Sequence, residues 1–100
     1  GENVYSSEVE NVLYMHPGVA QAAVIAGKNE LLGEEVLAFV VRRDPEGRGL
    51  ESAVLREHCA VHLADYKVPK EIFFVPELPQ TATGKIQKHV LRRQLPSEYR

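Results

Sequence analysis

The hydrophobic positions of this chain change their spacing along its length, and each change marks an element. Val9, Val12 and Leu13 fall at i, i+3 and i+4, the period of an amphipathic helix. Ser6 or Ser7 stands where that helix needs an N-cap, and Ser7 with Glu10 matches the S-x-x-E capping box. His16-Pro17-Gly18 stops it. From Val19 to Ala26, small and β-branched residues are interrupted only by Gln21, which predicts a strand covered on both faces. Gly27-Lys28-Asn29-Glu30 reads as a turn. Val36 to Val41 then repeats the buried-strand pattern before Arg42-Arg43 lead back to solvent. Two such runs so close together predict an antiparallel hairpin.

Residues 44–49 form a loop by composition. From Leu50 to about Ala64 the period becomes helical again, with Leu55, Cys59, Leu63 and Tyr66 on one stripe. Val68-Pro69 ends it, because proline lacks the amide and restricts its predecessor. Glu71 to Val75 is a third strand, bounded by Pro76. Ile86, Val90, Leu91 and Leu95 predict a last short helix ending near Pro96, with Tyr99-Arg100 as a loose end. The order helix, strand, strand, helix, strand, helix predicts an α+β domain: a small sheet of about three strands flanked by helices.

Composition sharpens this only by exclusion. The 100 residues allow one domain, and the 44% hydrophobic and 26% charged content is that of a globular protein. A net charge of −2 gives no electrostatic case for nucleic acid or an anionic membrane. No apolar run approaches the ~20 residues that span a bilayer. The single cysteine, Cys59, permits no internal disulfide and fits a reducing, cytoplasmic setting. The chain opens on Gly1 and not on methionine, so a piece of a longer protein is expected.

The stretch with most chemical content runs from Leu78 through Pro79-Gln80-Thr81-Ala82-Thr83-Gly84-Lys85-Ile86-Gln87 to Lys88. Two hydroxyls, a glycine free to take φ > 0 and a mobile ammonium suit an anionic or phosphate-bearing partner; a plain surface turn is the other reading. It is not a Walker A loop. Pro79 and Ile86 stand where that motif needs glycine and Ser or Thr. His58 and His62 share a helix face with Cys59 between them, but the H-E-x-x-H form is missing, so no metal site is assigned. Lys85, Lys88, His89, Arg92 and Arg93 make the C-terminal stretch basic without the aromatics that nucleic-acid stacking uses. No nucleophile–base pair or close acidic pair completes an active site.

Three stretches in order resemble the small C-terminal domain of the adenylate-forming (AMP-binding) superfamily, most of all its fatty-acyl and aryl-acid CoA ligases. They are Gly1-Glu2-Asn3-Val4-Tyr5-Ser6-Ser7-Glu8-Val9-Glu10, then Leu63-Ala64-Asp65-Tyr66-Lys67-Val68-Pro69, then Leu78-Pro79-Gln80-Thr81-Ala82-Thr83-Gly84-Lys85-Ile86. The resemblance covers nearly the whole chain and implies that residues 1–100 are a single lid domain. The large ATP- and acyl-binding N-terminal domain would lie outside this chain and be its partner. The implied reaction joins a carboxylic acid to AMP with release of pyrophosphate, and passes the acyl group to coenzyme A after the lid rotates. ATP, CoA and Mg2+ are the implied cofactors, with no magnesium ligand in this chain.

By resemblance Lys85 is the catalytic lysine of adenylation, Gly84 its turn neighbour, and Gly1 a residue beside the CoA tunnel. A protein acetyltransferase acting on Lys85 is an implied regulatory partner. Two alternatives stand beside this reading: loading of a carrier-protein thiol, and a non-catalytic interaction module. Ser6 departs from the proline usual in the family, and Lys28-Asn29 from its Pro-Asp.

Overall fold

The two long apolar runs form the two long strands of a sheet, and their alternation explains why neither reads as amphipathic. Strand β1 (Val19–Asn29) pairs antiparallel with β2 (Gly33–Arg42), and β2 pairs parallel with β3 (Glu71–Phe74). The order is β1-β2-β3, so β2 is central. The computed structural model describes residues 5–29, 31, 33–46 and 49–100.

Successive residues of a strand point to opposite faces, and here both faces are covered. Ala22 and Val24, with Val36, Ala38, Val40 and Ile72, pack under helices α1 (Ser6–Tyr14) and α2 (Ser52–His62). Val9, Leu13, Leu55 and Cys59 complete that core and are fully buried. Ala23, Ile25, Leu37 and Phe39 face the other way, onto Leu78, Leu91 and Leu95 from the C-terminal quarter. Burying one such side chain is worth about 1.5–3 kcal/mol. The C-terminal quarter, including helix α3 (Lys88–Arg93), is thereby fastened to the sheet. The α+β architecture, the hairpin and the two-faced burial agree with the sequence reading.

Local signals misplaced four features. The capping box does not form: Tyr5 is the N-cap, with no side-chain cap bond, so Ser6 and Ser7 already lie inside α1. The Ser6 hydroxyl is buried without a hydrogen-bond partner. Gly27-Lys28-Asn29 is strand, not turn, paired with Glu35, Glu34 and Gly33; Glu30 of the expected turn lies outside the described residues. Helix α2 ends at His62, and Leu63 turns extended while staying buried. Tyr66 therefore leaves the stripe and stands two-thirds exposed, edge-on to Tyr5 with ring centroids 5.4 Å apart. Finally, Tyr99 is no loose end. It packs on the second core, and a hydrogen bond from its hydroxyl to Glu71 raises its pKa.

Candidate functional site

Proline, threonine and glycine build a turn that holds itself together between the second core and α1. The Gln87 N–H donates to Pro79 O (2.8 Å), and Gln80 bridges to Ile86. Inside this neck, Thr81 N–H donates to Lys85 O (2.9 Å) and Gly84 N–H to Thr81 O (2.9 Å). The Thr81 hydroxyl oxygen accepts the Lys85 N–H at 3.1 Å and lies 3.0 Å from the Thr83 hydroxyl. Gly84 has φ +88°, the left-handed region a side chain would strain. The hydroxyls expected to face a ligand thus serve first to close the turn, which carries the exposed Lys85. The stretch is a fixed mount for a mobile ammonium.

Across from the mount lies the N-terminal half of α1. Ser6, Ser7 and Glu10 form one wall of an open groove of about 820 Å³, and Thr81, residues 84–89 and Arg92 line the rest. Two ion pairs tie the first signature stretch to distant parts of the chain. Lys67 Nζ is 2.8 Å from Glu8 Oε1 and lies 5.0 Å from the Tyr5 ring centre, joining the second stretch to the first. The hydrogen bond to Glu8 raises the Lys67 pKa. Lys88 Nζ is 3.0 Å from Glu10 Oε2, joining the start of α3, just past the third stretch, to the first. Sequence reasoning missed both pairs. Glu10 in particular had a ready local role as the capping-box acid, which hid its long-range one.

Of the residues singled out in the sequence, Lys85 and Gly84 share this turn, whereas Gly1 lies outside the described residues. Three of the four histidines gather elsewhere, His58 within 5.4 Å of His16 and 5.2 Å of His62 between ring centres. Their hydrogen bonds turn inward. His58 Nε2 donates to Val12 O (2.6 Å), and His16 Nδ1 accepts the Gly18 N–H. Among the described residues, no group of three or more His, Cys, Asp or Glu is placed to hold a metal ion. Nor is any described helix long and apolar enough to cross a membrane.

Residues 8–85 match a family model described as the AMP-binding enzyme C-terminal domain. The chain is 47% identical over 95 residues to probable acyl-activating enzyme 9 of Arabidopsis thaliana, covering 93% of this chain and 17% of that protein. It is 45% identical over 92 residues to a mitochondrial medium-chain acyl-CoA ligase of Danio rerio, covering 92% and 15%. Its backbone matches ATP-bound MatB from Rhodopseudomonas palustris with a TM-score of 0.87 at 37% identity, over 98% of this chain and 19% of that one. The chain thus spans under a fifth of the length of each of these proteins.

Proposed function

Since this chain belongs to the AMP-binding enzyme C-terminal domain family, we propose that it is the lid of an ATP-dependent acyl-CoA synthetase and that Lys85 serves adenylation. The observation that carries the proposal is the mount: an exposed ammonium on a self-bonded glycine turn, anchored to a buried core. Two relatives whose names include CoA ligase, from Danio rerio and Geobacillus, support the acid–thiol chemistry.

In the first half-reaction a carboxylate oxygen attacks the α-phosphorus of ATP and pyrophosphate leaves. Negative charge accumulates on the phosphoryl oxygens as the two anions meet. An ammonium delivered there offsets it, most strongly where domain closure excludes water. Lysine fits the task because a compact charge on a long stem can be inserted and withdrawn. In the second half-reaction the CoA thiol attacks the acyl carbon and AMP leaves. The lid has then rotated Lys85 away and presents another face to the thiol; the motion gates the sequence of steps. ATP, CoA and the carboxylic acid are substrates held largely by a partner N-terminal domain. The exposure of Lys85 also leaves it open to an acetyltransferase, and acetylation would remove the charge. We place the enzyme in the cytoplasm, where Cys59 stays reduced.

The test is Lys85→Ala in the full-length enzyme. ATP–pyrophosphate exchange should fall by a factor of about 100 or more, the scale of losing one preorganised charge-stabilising group. Thioester formation from supplied acyl-adenylate should persist. Equal loss of both half-reactions would sink the role. Comparing free CoA with a holo carrier protein as acceptor identifies the thiol.

A further inference from the structure

We infer that Glu10 is a positioning residue for Lys85, holding the base of its turn against α1 and the edge of the sheet; this rests on the adenylation role proposed for Lys85. Strand β1 is an edge strand, and α1 side chains meet its outward groups at Ala22 and Val24. At Ala22 a neutral hydroxyl suffices: Tyr14 accepts the Ala22 N–H at 3.0 Å and donates to its carbonyl at 3.3 Å. At Val24 the partner is a carboxylate, with Glu10 Oε2 accepting the N–H at 2.8 Å. Edge satisfaction alone does not call for a charge.

The charge has its counterpart in Lys88, whose ammonium lies 3.0 Å from the same Oε2. Lys88 is the first residue of α3, where the partial positive charge of the helix end disfavours a cation. A facing carboxylate offsets that penalty. Both side chains are about four-fifths buried, at 22% exposure for Lys88 and 20% for Glu10, so water screens the pair less than an ordinary surface pair.

The location gives the pair its consequence. Gln87, whose N–H closes the neck of the turn, directly precedes Lys88. The turn is rigid within itself, so its aim depends on how its ends are held. Leu78 is buried in the second core at one end. At the other end Ile86 and Leu91 pack on the same core, and the Glu10–Lys88 pair adds a tie to helix and strand together that sets the angle of the turn. Losing it lets the turn tilt as a unit, and a misplacement of about 1 Å at a reacting group can cost about a hundredfold in rate.

The experiment uses the full-length enzyme. Glu10→Gln keeps an acceptor for the Val24 N–H and removes only the charge; Lys88→Met removes the other partner, and Lys88→Arg restores a cation. The expected result is a drop of roughly ten- to a hundredfold in kcat for ATP–pyrophosphate exchange in Glu10→Gln and Lys88→Met. KM for ATP and for the acid should change little, thioester formation from supplied acyl-adenylate should hold, and Lys88→Arg should recover most of the loss. The double variant should be no worse than either single one. A uniform loss in both half-reactions, tracking a lowered melting temperature, would overturn the inference in favour of a structural pair. Intact exchange in Glu10→Gln beside abolished exchange in Lys85→Ala would overturn this inference alone. Intact exchange in Lys85→Ala would instead remove the reading it rests on.

Discussion

Cys59 shows how burial fixes the chemistry of one side chain. It is fully buried on α2 against the sheet, and desolvation pushes its thiol from 9.0 up to about 11. The thiolate is the reactive form, so the folded protein should resist a disulfide-exchange reagent at pH 8 and release one thiol per chain only in denaturant. Rapid labelling of the native protein would contradict this. The sign of the linked stability follows from the same shift. The folded state holds the proton more tightly than the unfolded one, so the contribution is complete below pH 9. It is lost as pH rises from 9 toward 11. Denaturation midpoints across that window should therefore fall more steeply in the natural protein than in Cys59→Val. Equal slopes would show that the thiol carries none of the dependence.

At the scale of elements, the long-range pattern was legible and the local punctuation was not. Uninterrupted apolar runs from Val19 and Val36 predicted strands covered on both faces, because alternate residues such as Ala22 and Ala23 serve different cores. Glycine is where the reading failed. In Gly27 it marked a turn by propensity, yet the residue lies in β1 opposite Glu35. The structure supplies the reason: a Cβ there would sit 2.3 Å from Leu37 Cδ1 and 3.2 Å from Tyr99 Cβ. The glycine makes room for neighbours that are distant in sequence, which no local window contains. Gly27→Ala should therefore destabilise the domain by about 1–3 kcal/mol, the scale of overpacking a filled core, as read by urea denaturation. A change near zero would mean that Leu37, fully buried as it is, can move aside. The candidate site divides in the same way. Gly84 and Lys85 were legible because the turn chemistry is contiguous. Glu10 and Lys67 were not, because their partners lie far along the chain.

At the scale of the whole molecule, the two cores separate the tasks of the chain. The sheet and its helices hold the first and second signature stretches together through Lys67 and Glu8, while the opposite layer carries the Lys85 mount. Both cores are built from residues of this chain, so it is expected to fold by itself. Its described residues form no water-excluded site for the proposed reaction. The groove beside Lys85 is open, and Lys85 itself is solvated, whereas an ammonium offsets phosphoryl charge effectively only where water is excluded. We assign the wall that would exclude water there to a partner N-terminal domain. The chain spans 17% of the Arabidopsis relative and 19% of MatB, so both of those proteins are several times its length. The purified 100-residue chain is accordingly expected to give a cooperative unfolding transition yet no ATP–pyrophosphate exchange and no tight ATP binding by titration calorimetry. Exchange should appear only when the chain is joined to the large domain, and should then depend on Lys85. Turnover by the isolated chain would show that the groove alone suffices as an active site, and the lid reading would have to be given up.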